Sequence, residues 1–304
     1  MNVRLASAGL LVLLVTPCWG QNALPLPEGC TWVAEPAAGC PVNDAGAYAD
    51  WVAQHGPVTV RHESSGIELV WVPGGSFRMG SDQADIDRVW QQHGWDAGPK
   101  QFTTDEQPAH EVQLDGFWIA KTEVTVGQWR AVMGSVPGEY NDQGDDHPVV
   151  EVSWEDCDGF CRRVGLVLPT EAQWEYAARG PEGRVYPWGD RWDAALCQSE
   201  EDQHGHETTA LVGSFPGGAS WCGALDLAGN VWEWCRDWYD KGFYGSAGAL
   251  QRNPECADNQ SNRRVVRGGG RLSYADLCRS ADRHRFTPGY RDGAQGFRPA
   301  QVTR

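Results

Sequence analysis

Positive charge is scarce in this chain of 304 residues. The sequence contains 25 Lys and Arg against 41 Asp and Glu, which gives a formal net charge of -16 at pH 7. Proteins that bind nucleic acid neutralise the phosphates with clustered Lys and Arg. The charge balance therefore excludes nucleic acid as an expected partner. It is compatible with an exported protein and with bound cations.

Long apolar runs are also absent beyond the first residues. A short basic region precedes an apolar run at 5–15, which is too short to span a bilayer and is typical of a secretory signal peptide. We expect residues 1–20 to be this signal peptide and the mature protein to be periplasmic or secreted, without a transmembrane segment. Anchoring as a lipoprotein through Cys18 is the less favoured alternative, because Pro17 is a poor residue before a lipidated cysteine.

Two further absences narrow the class of protein. The sequence has no Gly-x-Ser-x-Gly nucleophile motif and no internal repeat. What it does contain is 16 Trp, 37 Gly and 18 Pro. This composition predicts a loop-rich domain that is held together by clusters of aromatic side chains.

Disulfides are expected in this protein only if it is exported, since oxidising compartments permit them. The sequence has 10 Cys, and nine remain once Cys18 is removed with the signal peptide. An odd number leaves at least one thiol unpaired within the chain. Cys30 and Cys40 enclose a short segment rich in Pro, Gly and Ala, and we expect them to form a disulfide. Cys157 and Cys161 lie one helical turn apart, which favours buried free thiols.

The first half of the chain predicts strands with few helices. Residues 21–56 predict a loose N-terminal extension with one short helix at 45–54, and a second short helix is predicted at 85–92. From residue 58 onward, alternating apolar residues predict strands. They lie at 58–60, 67–72, 77–79, 110–114 and 116–119.

Three helix starts in the middle of the chain carry capping signals. Thr125 and Thr170 each precede a Gln by three residues, and Ser153 precedes two acidic residues that suit the first turn of a helix. After Gly180 the sequence predicts turns and short strands with few helices. An order of strands, then helices, then irregular β-structure, without strand–helix alternation, is typical of the α+β class.

The segment 224–239 reads ALDLAGNVWEWCRDWY and combines aromatic residues with carboxylates. Aromatic residues at this density usually form a core, whereas carboxylates are costly to bury. The mixture predicts a rigid loop whose acidic groups are tied down by a hard cation that takes oxygen ligands.

A series of short motifs runs in order through the chain. They are WVPGGSFRMG at 71–80, EQPAH at 106–110, KTEVT at 121–125, LPTEAQWEYAARG at 168–180, PWGD at 187–190, RGG at 267–269 and GFR at 296–298. Together with the segment 224–239, they resemble the formylglycine-generating enzyme family, also called the sulfatase-modifying factor family. The resemblance implies one domain over residues 57–304 with the α+β, C-type-lectin-like variant fold of that family, low in regular secondary structure.

The best-known activity of the family is the copper-dependent oxidation of a sulfatase cysteine to formylglycine by O₂. Two cysteines near the C-terminus hold Cu(I) in that enzyme, since thiolates suit this soft ion. After the RGG motif this chain has Cys278 alone, and Ser273 stands five residues before it. A hydroxyl cannot replace a thiolate on Cu(I), so copper is not an expected cofactor. If catalysis remains, Cys278 and Ser273 are the candidate catalytic residues, close to Trp232.

Calcium is the cofactor that the resemblance does imply. The family's site maps onto the side chains of Asp226 and Glu233 and onto the backbone oxygens of Gly229 and Val231. These hard oxygen ligands lie within eight residues of the sequence, which fits Ca²⁺. A salt-bridged acidic loop without a metal is the alternative.

Arginine is concentrated near the C-terminus of this otherwise acidic chain. We expect some of these residues to pair with the acidic segment and the others to line a groove for an anionic or peptide ligand. Cys235 and Cys278 flank the expected core, and we expect a disulfide between them, which would make Cys278 structural. The arginines are Arg263, Arg264, Arg267, Arg271, Arg279, Arg283 and Arg285.

The expected function follows from an intact scaffold that lacks the copper pair. We expect an exported domain that has lost the standard activity and serves in binding or in assembly of the cell envelope, with a protein or peptide as its ligand. The alternative is an oxidoreductase of the same superfamily. It would act on a protein cysteine, as in sulfatase maturation, or on a secreted peptide, as in siderophore maturation.

Overall fold

Strands form the frame of the domain, and helices pack against them. The computed structural model describes residues 24–34, 36–201 and 208–302, so the expected signal peptide at 1–20 and Cys18 lie outside the described residues. The helices are α1 (Ala45–His55), α2 (Gln83–His93), α3 (Ala97–Lys100), α4 (Val126–Met133), α5 (Trp154–Val164) and α6 (Glu171–Arg179). The strands are β1 (Cys30–Ala34), β2 (Thr59–His62), β3 (Glu68–Val72), β4 (Gly75–Met79), β5 (His110–Leu114), β6 (Phe117–Ala120), β7 (Trp232–Trp238), β8 (Arg264–Arg267), β9 (His284–Phe286), β10 (Gln295–Gly296) and β11 (Ala300–Val302).

The described strands form three sheets. The largest has the order β1-β2-β3-β6-β11 and is antiparallel throughout. A second sheet has the order β10-β7-β8-β9, and β4 pairs with β5 to form the third. The predicted strands of the first half of the chain and the α+β class are confirmed.

The N-terminal segment takes part in the main sheet. Strand β1 pairs with β2, and Cys30 lies opposite His62. The indole of Trp71 donates a hydrogen bond to the carbonyl oxygen of Val42 at 2.8 Å, and Tyr48 of helix α1 is fully buried. The expectation of a loose extension at 21–56 is therefore wrong, because an edge strand and the core hold part of it in place.

The capping signals place the three central helices. Thr125, Ser153 and Thr170 are the N-caps of α4, α5 and α6, and each forms a complete capping box with the third residue of its helix. Gly165 ends α5 with φ 77°, a left-handed conformation that glycine adopts at little cost. These predictions are confirmed. The reason is that caps satisfy backbone N–H groups locally, without help from the rest of the fold.

Two hydrophobic clusters lie between the sheets and helices. The main core includes Trp118, Trp174 and Trp234, all fully buried, whereas a smaller cluster gathers around Trp90 and Tyr186. Along the described parts of the chain, no helix combines the length and the apolar character needed to cross a membrane.

Candidate functional site

The segment 224–239 is a loop followed by a strand. Strand β7 (Trp232–Trp238) lies in the interior of the four-stranded sheet, between β10 and β8. The preceding loop contains two residues with positive φ, Asp226 at 57° and Asn230 at 59°. The prediction of a loop throughout is wrong for its second half, because the closely spaced aromatic residues suit a strand that is covered on both faces.

Glu233 is held by a fully buried arginine. Both carboxylate oxygens accept hydrogen bonds from the guanidinium of Arg298, at 2.6 and 2.7 Å, and one of them also accepts from the indole of Trp174 at 2.8 Å. Arg298 donates as well to the carbonyl oxygens of Leu225 and Asp226, at 2.8 and 3.1 Å. A single guanidinium thereby ties the GFR motif to the loop and to strand β7.

A second buried acid next to this pair was not predicted. Glu123 is 1% exposed and accepts a hydrogen bond from the side chain of Asn230 at 3.0 Å, while its Oε2 has no hydrogen-bond partner. Burial, and then the neighbouring carboxylate of Asp226, raises the pKa of Glu123 well above its ordinary value. The signal in the sequence was an acid within the KTEVT motif, just after an apolar strand.

These contacts test whether the expected calcium ligands fit a cation. Glu123, Asp226 and Glu233 place three carboxyl groups around one guanidinium, and burial raises the pKa of Asp226 as well. The oxygens of Glu233 are already committed to Arg298, whereas Asp226 and Oε2 of Glu123 are hard donors in a region of excess negative charge. Within the ranges that the structure describes, no group of three or more His, Cys, Asp or Glu side chains has the geometry of a metal site. Glu233 is therefore engaged by Arg298, whereas Oδ2 of Asp226 accepts a hydrogen bond from the backbone of Gly213 at 2.6 Å. Calcium binding at Asp226, Gly229, Val231 and Glu233 stays a prediction.

The C-terminal arginines pair with other acids than predicted. Arg283 donates to both oxygens of Glu171 at 2.7 and 2.8 Å, and Arg267 pairs with Glu175. Arg279 donates to both oxygens of Glu106, at 2.7 and 2.9 Å. For Arg267, Arg279 and Arg283, the expected pairing with acids of segment 224–239 is wrong. Their partners lie on helix α6 and in the EQPAH motif, which only the tertiary fold brings close.

Asp237 of strand β7 gives a testable pH dependence. Its carboxylate is buried and accepts backbone hydrogen bonds from Glu171 and Cys256, both at 2.8 Å. Burial, and then the nearby charge of Glu171, raises the pKa of Asp237 to about 7. The folded state therefore holds a proton that the unfolded state has released, and this group's contribution to stability falls as the pH rises from about 4 to about 7.

We expect the Asp237→Asn variant to lose this dependence. The free energy of unfolding of the parent falls by up to about 1.4 kcal/mol per pH unit in this window through Asp237, and the variant has a flatter profile. Urea unfolding between pH 4 and pH 8 measures the difference. Equal slopes for the two proteins would show that Asp237 is ionised in the folded state throughout the window.

The candidate catalytic residues Cys278 and Ser273 lie close together in the fold. The thiol of Cys278 is fully buried, and Ser273 is 4% exposed and accepts a hydrogen bond from the backbone of Gly270 at 2.9 Å. Burial raises the pKa of the Cys278 thiol well above its ordinary value. The hydroxyl therefore closes a turn, and the thiol has little tendency to form the thiolate that metal binding or nucleophilic attack requires.

Thiol labelling of the native protein tests this burial. Cys40 is partly exposed, whereas Cys278 is fully buried. We expect a maleimide to modify Cys40 first and Cys278 at least about a thousandfold more slowly, because Cys278 must wait for the fold to open. Digestion and mass spectrometry after timed labelling give the two rates. Similar rates would mean that Cys278 is accessible.

Neither expected disulfide is formed in the structure, where Cys30, Cys40, Cys235 and Cys278 are free thiols. Cys235 lies in the main core, whereas Cys278 lies in the smaller cluster. The Sγ of Cys30 contacts Oε1 of Gln301 at 3.7 Å. The sequence placed Cys235 and Cys278 beside the same core, but the fold separates them into different clusters. Cys157 and Cys161 are buried free thiols, as predicted.

A groove with an aromatic wall lies over one face of the four-stranded sheet. We call it the aromatic groove. It has a volume of about 290 Å³. The ring centroids of Trp232 and His284 are 5.3 Å apart, those of His284 and Phe286 5.1 Å, and Phe286 stacks on Tyr290 at 4.3 Å. Its lining includes Trp232, Leu272, Ser273, His284, Phe286 and Tyr290.

The aromatic groove contains one of the two catalytic candidates, whereas the other is buried behind its wall. Ser273 lies on its wall, and Cys278 follows the lining residue Leu277. The expected calcium residue Glu233 adjoins Trp232 on strand β7. Sequence reasoning identified Trp232 but not His284, Phe286 or Tyr290, since these residues meet only when β9 pairs with β8.

Comparison with known proteins decides the family. Residues 54–302 match the "Sulfatase-modifying factor enzyme 1-like domain" family. The chain belongs to this family. It is 38% identical to the formylglycine-generating enzyme of Streptomyces coelicolor over 203 residues, which covers 60% of each chain. It is 31% identical to the serine/threonine-protein kinase Pkn1 of Chlamydia trachomatis, over 77% of this chain and 38% of the kinase. The chain thus spans less than two thirds of the length of each of these two relatives.

Two further comparisons cover most of the chain. The formylglycine-generating enzyme of Mus musculus is 26% identical, with 98% of this chain and 94% of that protein covered. The structure of PvdO from Pseudomonas aeruginosa superposes with a TM-score of 0.68 at 24% identity, over 81% of this chain and 99% of PvdO. This structural likeness concerns the fold, which is the α+β, C-type-lectin-like variant expected from the motifs.

Proposed function

We propose that the protein is an exported binding domain of the sulfatase-modifying factor family, which holds a protein or peptide ligand in the aromatic groove. The observation that carries the proposal is the groove itself, in which four aromatic rings surround a space of about 290 Å³. Aromatic side chains at a partly exposed surface are the common anchors of protein recognition. The net charge of -16 and the expected signal peptide favour a role outside the cytoplasm.

The buried thiol favours binding over the standard copper chemistry. A Cu(I) site needs thiolates that reach the ion, and the pKa of Cys278 is raised by burial. Ser273 has its hydroxyl oxygen in a hydrogen bond to the backbone of Gly270. Oxidation of a protein cysteine or a secreted peptide by a domain of this fold is the competing function, because Ser273 and Trp232 both line the groove.

Two measurements separate these functions. The purified full chain is incubated with Cu(I), O₂ and a Cys-x-Pro-x-Arg peptide, and mass spectrometry follows the peptide thiol. We expect no loss of the thiol. Turnover that disappears in Cys278→Ala would overturn the proposal in favour of the oxidoreductase.

Binding is measured by selection from a random peptide library displayed on phage. We expect enriched peptides to lose at least about tenfold in affinity for Tyr290→Ala, which removes an aromatic wall. Tyr290 is 36% exposed, so this variant retains its fold. The control Tyr274→Ala removes a 57% exposed ring outside the groove and should bind as the parent does. Equal binding by both variants and the parent would refute the groove as the site.

We also propose that calcium binds beside Asp226, with the backbone oxygens of Gly229 and Val231 as further ligands. Burial raises the pKa of Glu123 and Asp226, and a cation would relieve the excess of negative charge there. Calcium would hold the loop that precedes strand β7 and so stabilise one side of the groove. Glu233 is assigned to Arg298 instead.

Thermal unfolding tests the calcium proposal. Excess Ca²⁺ is expected to raise the melting temperature by about 5 °C or more relative to EDTA, since a ligand that binds only the folded state stabilises it. Asp226→Asn keeps the acceptor for the backbone of Gly213 but should abolish the shift. Asp50→Asn, on the exposed side of helix α1, is the control that keeps it. If Ca²⁺ and EDTA give the same melting temperature for the parent, calcium is not a ligand.

A further inference from the structure

Strand β9 (His284–Phe286) has one open edge. It is the last strand in the order β10-β7-β8-β9, and among the described residues no strand pairs with its outer side. An edge strand of this kind can add an extended peptide through backbone hydrogen bonds. Side chains of an added strand would point alternately to the two faces of the sheet.

The two faces beside β9 carry different pockets. His284 and Phe286 line the aromatic groove. Arg283, His284 and Arg285 line a second cavity of about 550 Å³, which we call the basic pocket. His284 and Leu277 line both spaces, whereas Phe286 lines only the aromatic groove and Arg283 and Arg285 line only the basic pocket, as the alternation of side chains along an extended strand requires.

The basic pocket has a cationic rim in a chain whose net charge is -16. Arg285 lies over the ring of Tyr239 at 4.3 Å and pairs with Asp105 at 2.7 Å. Lys241 is exposed and has no ion pair among the residues that the structure describes. The exposed phenyl ring of Phe102, with 70% of its surface accessible, forms another part of the wall.

The acidic residues in the basic pocket do not neutralise the positive charge of this rim. Asp105 already accepts hydrogen bonds from Tyr239 and Arg285, at 2.9 and 2.7 Å. Burial raises the pKa of Asp282 well above its ordinary value, which favours its uncharged form. Burial, and then the charge of Arg285, lowers the pKa of His284. The charge of Lys241 is therefore left for a ligand.

We propose that the ligand is an extended acidic segment of another protein, which adds to the open edge of β9 and directs apolar side chains into the aromatic groove and carboxylates into the basic pocket. This inference rests on the proposed function and specifies its ligand class. The partner has apolar and acidic residues at alternating positions, since only that pattern matches the two faces at once. Charge complementarity with Lys241, which lies beside the Arg285–Asp105 ion pair, supplies the preference for acids.

The test uses the peptides selected from the random phage library on the full chain. We expect alternating apolar and acidic residues, and affinities that fall as salt increases. Lys241→Glu should weaken binding roughly fivefold to tenfold, because an attraction becomes a repulsion. Arg163→Glu makes the same change of charge at an exposed position of helix α5 and is the matched control. Methylating the backbone nitrogens of the peptide one at a time should abolish binding at every second position.

The outcomes distinguish the two proposals. Peptides that depend on Tyr290 but carry no acidic excess, and that bind Lys241→Glu as tightly as the parent, would overturn the acidic ligand and leave the aromatic groove standing. Uniform tolerance of backbone methylation would overturn strand addition. A library that yields no peptide dependent on Tyr290 refutes the proposed function itself.

Discussion

Replacing Arg298 by Ala is expected to destabilise the protein by at least about 4 kcal/mol, because breaking a buried ion pair leaves an uncompensated charge. Arg298 is fully buried and donates two hydrogen bonds to Glu233. Its loss would leave Glu233 beside Glu123 and Asp226, with three acids and no cation of the protein between them. Carbonyl oxygens of the loop before β7 would lose their donor as well.

Urea unfolding measures the effect, and the control is Arg162→Ala. The side chain of Arg162 is 72% exposed and pairs with Asp158 one turn away on helix α5, so its loss should cost no more than about 0.5 kcal/mol. Expression of Arg298→Ala only in unfolded form agrees with the prediction. A pair of variants with equal midpoints in urea would contradict the role of Arg298 as the tie between loop and strand.

Gly229→Ala is expected to be the second severe substitution, with a cost of about 3 kcal/mol or more. Gly229 has φ 78°, and an added Cβ would lie 2.0 Å from the carbonyl oxygen of Gln198. That oxygen accepts the backbone hydrogen bond of Asn230 at 2.8 Å, so it cannot move without breaking this contact. The loop must shift, and the oxygens of Gly229 and Val231 shift with it.

Gly165→Ala is the matched control for this steric effect. Gly165 has nearly the same φ, 77°, but a Cβ there meets no atom within 4 Å. The control should therefore cost only about 1 kcal/mol, which is the strain of a left-handed alanine. The difference between the two variants in urea unfolding isolates the clash. Equal costs would show that the loop before β7 can relax.

Local signals were sufficient for the three capped helices and for most strands of the first half of the chain. Thr125, Ser153 and Thr170 begin their helices as predicted, because a capping box is closed by residues only three positions apart. Strand β5 has the predicted bounds, His110–Leu114, since its alternation of buried and exposed residues is a property of the strand alone. The motifs identified the family for the same reason. Each motif is a short run of neighbouring residues, and the motifs follow one another along the chain in the order of the family.

Contacts between distant segments were not predictable in this way. Arg298 and Glu233 are 65 residues apart, and Glu106 and Arg279 are 173 apart. The sequence showed that this domain contains both acidic residues and arginines at positions near the expected core. It did not show which acid pairs with which arginine. Strand β1 was missed because its pairing with β2 across the helix α1 has no local signature.

The sequence by itself determined the family, the α+β class, the N-terminal ends of the three capped helices and the importance of the segment 224–239. Only the tertiary structure decided that Glu233 belongs to Arg298, that Glu123 joins Asp226, and that Cys278 lies apart from Cys235. It also decided that β9 is an edge strand between an aromatic groove and a basic pocket. The physical reason is range: caps, turns and alternation act over a few residues, whereas burial, ion pairing and the walls of a groove depend on which distant segments the fold brings together.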